Sequence, residues 1–99
     1  MADDLDPVIH TTSRLRIMTT LAALPAGDSI SFSKLQSVLD MTVGNLSVHL
    51  TKLEQAGYVH IEKTFQGRKP ATFVRLTGEG RAAFDRYLAN LRDLLKDVV

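Results

Sequence analysis

The stretch from Thr42 to Tyr58, TVGNLSVHLTKLEQAGY, carries two kinds of side chain at helical spacing. Val43, Leu46, Leu50 and Leu53 fall in one sector of a 3.6-residue wheel and can anchor that side in a core. The opposite sector holds Gly44, Asn45, Val48, Thr51, Lys52 and Gln55, which are small, polar or basic and include no acid. Such a face suits the edges of base pairs. An asparagine amide can bond an adenine edge twice, a valine can meet a thymine methyl, and no carboxylate is present to repel phosphate. A second cluster, Gln66-Gly-Arg-Lys-Pro70, puts Arg68 and Lys69 side by side between residues that favour a turn, and two adjacent cations suit phosphate oxygens. Taken alone, an amphipathic helix with polar residues outside is usually only a surface helix, so its neighbours in the chain decide between the two readings.

Other chemistries find little support. The 99 residues contain no cysteine, which removes disulfides, thiolate metal sites and thiol nucleophiles together. The three histidines, His10, His49 and His60, lack close metal-binding spacing, so no metal site is expected. There is no G-x-S-x-G elbow, no phosphate-binding P-loop and no carboxylate pair in a glycine-framed pocket, and Gly78-Glu-Gly80 reads as a helix start. We therefore expect no enzyme and no cofactor. The amino end, MADDLDPV, lacks the basic and apolar regions of a signal peptide, and no apolar run is long enough to span a bilayer. The expectation is a cytoplasmic protein with no membrane partner. At 44% hydrophobic and 23% charged, the composition is globular, and the length fits one domain over residues 1–99. Net charge is only +1, yet Ser13 to Leu76 holds eight basic residues against four acidic ones, so a nucleic-acid footprint belongs to the middle of the chain.

The elements that would position these residues can be read in order. Asp6-Pro7 looks like a helix opening and Thr12-Ser13 like a second one; Leu15, Ile17, Met18, Leu21, Ala22 and Leu24 then give an apolar helix that Pro25 and Gly27 stop. Whether residues 5–24 form one helix or a turn followed by a helix is left open. Asp28 to Ser31 has room for a minor strand. Ser33-Lys-Leu-Gln36 fits a capping box, with Phe32, Leu35, Val38 and Leu39 as the inner face of a short helix. Asp40 and Met41 leave a tight connection to Thr42, which can cap the next helix, while Gly57 can end it. The period then changes to two: Val59 and Ile61, then Thr72, Val74 and Leu76, mark the strands of a hairpin with Arg68 and Lys69 at its tip. Thr77 caps a last helix with inner positions Phe84, Tyr87, Leu88, Leu91, Leu94, Leu95 and Val98, and Gly78 and Gly80 weaken its first turn. At about 30 Å that helix would outrun the body available to cover it. Its later leucines are therefore expected to meet a second copy, with the apolar first helix as partner.

The order is helix, short strand, helix, helix, strand, basic turn, strand, helix. In that order, the run Ser47-x-His49-Leu50-x-x-Leu53-x-x-Ala56-Gly57-Tyr58-Val59 and the run from Gly67-Arg68-Lys69-Pro70 to Leu76-Thr77-x-x-Gly80-Arg81 resemble the MarR and ArsR group of prokaryotic transcriptional regulators. The resemblance covers most of residues 13–90. It implies an α+β, mainly α, winged helix-turn-helix with a three-helix core, a β-hairpin wing and a long C-terminal helix. It further implies a homodimer on a pseudo-palindromic operator in double-stranded DNA, acting as a regulator and most simply as a repressor. On matching positions, Gly44, Asn45, Ser47 and Val48 would read base edges, with Thr51 and Lys52 nearer the backbone. Ser33, Lys34, Lys63, Arg68 and Lys69 would supply wing and backbone contacts, and Leu15, Met18, Tyr87, Leu91, Leu94, Leu95 and Val98 the dimer interface. No arginine on the reader face offers a strong guanine contact, so DNA shape would share in specificity. The cysteine ligands of ArsR metal sensors are missing, and the resemblance names no small-molecule effector, although a pocket between the first helix and the reader helices would suit one.

Several residues have a plainer reading. His49 is assigned a packing or hydrogen-bonding role in preference to base contact, and His10 and His60 are taken as surface histidines. Lys63 and Arg75 on the hairpin stem could equally pair with Glu62, and Ser31 and Ser33 could be helix caps with no phosphate role. The alternative function is a winged helix that docks proteins without specific DNA binding; adjacent Arg68 and Lys69 argue against it, since a protein-docking wing has no need of them.

Overall fold

The computed structural model describes residues 5–97. Asp3, Asp4 and Val98, the last of which was expected in a dimer interface, lie outside the described residues. The elements are α1 (Thr12–Ala22), β1 (Ser29–Ser31), α2 (Phe32–Leu39), α3 (Val43–Gln55), β2 (Val59–Gln66), β3 (Lys69–Leu76) and α4 (Gly78–Lys96). The strands form one antiparallel sheet in the order β1-β3-β2. This is the expected winged helix-turn-helix, including the minor strand, which pairs Ser29 to Ser31 with Arg75 to Phe73.

The chain before α1 makes a turn and then a separate helix. Asp6 accepts from the Val8 amide through Oδ1 at 2.9 Å and from the Ile9 and His10 amides through its carbonyl. Thr11 then takes an extended conformation, and its hydroxyl caps α1 by accepting from the Arg14 amide. Ile9 from the turn joins Ile17, Met18 and Leu21 of α1 in the core. Leu35 and Leu39 of α2, Leu46, Leu50 and Leu53 of α3, Val59, Val74 and Leu76 of the sheet, and Ala83, Phe84 and Tyr87 of α4 complete that core. Each of the larger apolar side chains withdrawn from water is worth about 1.5–3 kcal/mol.

Both ends of the helix-turn-helix close with the same hydrogen-bond pattern. Behind α2, the Met41 amide bonds the Gln36 carbonyl and the Asp40 amide the Ser37 carbonyl, with Asp40 in the left-handed region at φ +53°. Behind α3, the Tyr58 amide bonds Leu53 and the Gly57 amide bonds Glu54, with Gly57 at φ +81°. Aspartate tolerates this conformation better than most residues but less well than glycine.

Some expectations fail for identifiable reasons. The cap of α2 is Ser31, whose Oγ accepts from the Lys34 amide at 3.1 Å, so Ser33 sits inside the first turn and the expected capping box does not form. Val38 and Val43 are more than half exposed. Val43 occupies the first turn of α3, beyond the stretch that Leu46, Leu50 and Leu53 bury. Met18 and Tyr87 are buried in the chain's own core and have no surface left for a partner, which corrects their assignment to a dimer interface. Of the other residues given that role, Leu15, Leu91 and Leu94 are half-buried and Leu95 is 52% exposed. The hairpin turn is also tighter than the sequence suggested. Gln66 pairs with Lys69, leaving only Gly67 and Arg68 as the loop, with Gly67 at φ +64°. Pro70 is accommodated because β1 flanks β3 only at Phe73 to Arg75.

Candidate nucleic-acid interface

Thr42 sets the start of α3 as expected, its hydroxyl accepting from the Asn45 amide at 3.1 Å. Gly44, Asn45, Ser47, Val48, Thr51 and Lys52 are all exposed. The helical period divides this surface into two stripes. Val43, Ser47, Thr51 and Glu54 line a groove of about 660 Å³ together with Leu50 of α3, Phe32 at the start of α2, and Ile61, Lys63 and Thr72 of the hairpin. Lys52 and Gln55 lie toward the other side and line a hollow of about 400 Å³ with Pro7, Val8, Arg14 and Ala56. Between the stripes lie Gly44 and Val48, and with Thr51 and Gln55 at the stripes' inner edges they make a row spaced at four, three and four residues, with no charge among them. The Thr51 hydroxyl donates back to the Ser47 carbonyl at 2.9 Å, which leaves its oxygen as an acceptor toward solvent. A Cβ on Gly44 would meet nothing within 4 Å, so the chain's own packing does not require glycine there.

The groove adds two residues that the sequence reading missed. Val43 was read as core and instead offers an exposed apolar surface beside Ser47. Glu54 places an acid on the wing-facing flank, which the outer sector as read from sequence did not include; the pattern Val43, Ser47, Thr51, Glu54 at four, four and three residues was the available signal.

Strand alternation sorts the hairpin. Lys63 pairs across from Thr72, and Ile61 from Val74, so Lys63 shares the face that turns toward α3. Glu62 projects to the opposite face, where it lines a separate hollow with His60, Phe73 and Arg75. Glu62 is thus a neighbour of Arg75 and not of Lys63. Arg68 and Lys69 are exposed at the tip, and Ser33 and Lys34 are exposed in the first turn of α2.

Three arginines, two of them counted in the basic footprint, have other work. Arg14 is buried; its Nε donates to the Val8 carbonyl and its Nη1 donates to His49 Nδ1 at 3.1 Å. Since arginine can only donate, His49 accepts at Nδ1 and carries its proton on Nε2. Burial, with Arg14 and then Lys52 as nearby cations, pushes the His49 pKa below its ordinary value. His49 therefore has the hydrogen-bonding role expected of it, tying α3 to α1 and the amino-terminal turn. Arg16 donates to the Leu39 carbonyl at 2.9 Å and Arg81 to the Ala22 carbonyl at 3.2 Å, each capping the end of a helix. The cations left exposed around α3 and the hairpin are Lys34, Lys52, Lys63, Arg68 and Lys69. Of the other two histidines, His10 bonds Tyr87 Oη through Nδ1 at 2.8 Å and His60 lies on the back of the hairpin.

The base of the hairpin is tied to both neighbouring helices. Tyr58 Oη donates to Asp6 Oδ2, which together with burial raises the Tyr58 pKa to about 12. Thr77 Oγ1 donates to the Gly57 carbonyl at 2.7 Å and accepts from the Gly80 amide at 2.9 Å, while the Thr77 amide bonds the Tyr58 carbonyl at 3.1 Å. Gly80 passes so near this strand that a Cβ would overlap the Tyr58 carbonyl oxygen and stand 2.8 Å from its carbon. The glycine read from sequence as weakening α4 is the residue that allows α4 to dock.

Comparison with known proteins agrees with this geometry. Residues 13–95 match the family described as a winged helix DNA-binding domain. An uncharacterised protein of Methanocaldococcus jannaschii is 31% identical over 91 residues, spanning 92% of this chain and 96% of that protein. A transcriptional regulator homologue from Pyrococcus horikoshii OT3 superposes with a TM-score of 0.82 at 33% identity, over 92% of this chain and 87% of the other. A structure described as a MarR-family transcriptional regulator, from Enterococcus faecalis V583, gives a TM-score of 0.72 at 26% identity, covering 92% and 78%. The exposed helix α3, the hairpin and these similarities together show that the chain belongs to the winged helix DNA-binding domain family, whose fold it shares with MarR-family transcriptional regulators, which are not enzymes.

Proposed function

We propose that the protein binds specific sequences in double-stranded DNA as a homodimeric repressor, with α3 in the major groove and the hairpin over the flanking minor groove and backbone. The observation that carries this reading is the uncharged centre of α3, Gly44, Val48, Thr51 and Gln55, bordered by Lys52, Lys63 and the Arg68-Lys69 tip. Uncharged groups face base edges and cations face the phosphates on either side. Gly44, unneeded by the fold, lets the helix start come close to the duplex. Asn45, Ser47 and Val48 supply base-edge contacts, and Ser33 and Lys34 reach the backbone from α2.

The homodimer is supported by the carboxyl-terminal half of α4, where Leu88, Leu91 and Leu95 form an apolar surface edged by Arg92 and Lys96. With Leu94 and the half-buried Leu15, this surface would bring two copies together on a pseudo-palindromic operator. A small effector entering the hollow beside Arg14 would bear directly on Lys52 and Gln55 of the reader helix.

A fluorescence-anisotropy titration tests the reading, using a duplex from upstream of the protein's own gene and a scrambled duplex, each over a range of salt concentrations. The native duplex should bind more tightly, with affinity falling steeply as salt rises. Replacing Arg68 and Lys69 together by alanine should weaken both duplexes by about ten-fold or more and reduce the salt slope by roughly one for each phosphate no longer neutralised. Absence of duplex binding even at low salt would overturn the DNA-binding reading.

A further inference from the structure

The hairpin tip holds a large apolar side chain that the fold does not use. Phe65 is 69% exposed, more than any other large hydrophobic residue among those described. Strand alternation places it on the face of β2 that carries Val59, Ile61 and Lys63. Val59 is in the core, Ile61 and Lys63 line the groove against α3, and Phe65 continues the same row beyond the body. Its cross-strand partner is Pro70, on a two-stranded segment that β1 does not reach. Cations flank this pair: Lys63 stands two residues back on the same face, Arg68 is in the loop, and Lys69, next to Pro70, is on the opposite face.

An apolar centre with a cationic rim is the complement of a DNA minor groove, whose walls are deoxyribose carbons and whose edges are phosphates. We propose that Phe65 is a direct minor-groove contact of the wing, packing on sugar and base edges while Arg68 and Lys69 hold the phosphates on either side. This rests on the DNA-binding reading above and adds to it a component of affinity that comes from apolar burial, not charge. Release of counterions depends on cations alone, so the two components respond differently to salt.

The test compares the full chain with its Phe65→Ala, Phe65→Leu and paired Arg68→Ala/Lys69→Ala variants, on the upstream duplex, as log affinity against log salt. Phe65→Ala should lower affinity by about ten-fold and by the same factor at every salt concentration, giving a line parallel to that of the wild type. Phe65→Leu should recover most of the loss, whereas the paired variant should change the slope. Circular dichroism and thermal melting should show Phe65→Ala folded as the wild type, since the ring is mostly in solvent. Unchanged affinity in Phe65→Ala overturns the proposal, and a changed slope does so too, because it would mean that the substitution acted by displacing the cations. If duplex affinity stays constant while sedimentation shows altered self-association, the ring belongs to a protein contact and the proposal fails. A wild-type protein that binds no duplex removes the parent reading and this one together, a result distinct from loss of Phe65 alone.

Discussion

At the base of the hairpin, Gly80 lies under the Tyr58 carbonyl, Thr77 bridges Gly57 and Gly80, and Tyr58 reaches across to Asp6. At the tip, every residue from Glu62 to Pro70 is exposed, and only the strand pairing between Gln66 and Lys69 closes the loop. One hairpin thus contains a clamped end and an open end, and the same kinds of residue serve opposite purposes in each. Glycine at position 80 permits close packing of backbone on backbone, whereas Gly67 permits a turn at a point where a side chain would meet only open space. A threonine at the base has its hydroxyl fully engaged, while the arginine at the tip faces solvent. On the proposed DNA-binding reading, stability and recognition are therefore separable by distance along the strands, and substitutions can show how sharp that separation is.

The largest effect should come from Gly80→Ala. Alanine gains up to about 1 kcal/mol in helix propensity, yet the overlap with Tyr58 forces α4 away from the sheet and should cost about 3 kcal/mol net. Urea denaturation should show a lowered midpoint; a raised one would mean that α4 does not need this approach. Thr77→Ala comes next, losing a helix cap and the bond to Gly57 for about 1–2 kcal/mol, and Thr77→Ser should restore most of it. A smaller effect should appear in alkali. The Tyr58 hydroxyl ionises near 10 when unfolded and at about 12 when folded, so the folded state holds that proton more tightly. Its contribution is complete below pH 10 and is lost as pH rises through about 12. Tyr58→Phe should flatten the decline in melting temperature over that window. The smallest change belongs to the tip, where paired alanines at Arg68 and Lys69 should leave unfolding free energy within about 0.5 kcal/mol of wild type. A larger shift there would break the division between the two ends.

Much of this arrangement can be read directly from the chain. Thr42 and Gly57 bracket α3 because a hydroxyl cap and a left-handed glycine act through bonds a few residues long. The alternation of Val59 with Ile61, and of Thr72 with Val74 and Leu76, announces the strands for the same local reason. What escapes is whatever depends on distant neighbours. Val43 has the spacing of a core residue, yet at the first turn of α3 it is left more than half exposed. Ser31 and Ser33 both have the chemistry of a cap, and the β1 pairing to β3 holds Ser31 in the extended conformation that a cap requires. Met18 and Tyr87 carry the apolar character of interface residues, but the core takes them first. Arg14 and Arg16 count as surface charge until the carbonyls of Val8 and Leu39 are seen beside them. In the candidate interface, the exposed α3 residues and the Arg68-Lys69 tip follow from pattern alone, whereas Glu54 and Val43 enter only once the hairpin closes the groove, and Phe65 only once its exposure beyond the groove is seen.

The two-residue loop at Gly67 and Arg68 fixes more than a turn. Because side chains alternate between faces, adding one residue to each strand would lengthen the hairpin by about 3.4 Å and turn the tip over, sending whatever replaced Phe65 to the far side. Adding two to each strand would restore the original facing and advance the tip by roughly 7 Å, close to two base-pair steps of about 3.4 Å along a duplex. The reach of such a hairpin with its tip facing the same way is thus a ladder with rungs two residues apart, and this chain stands on one of them.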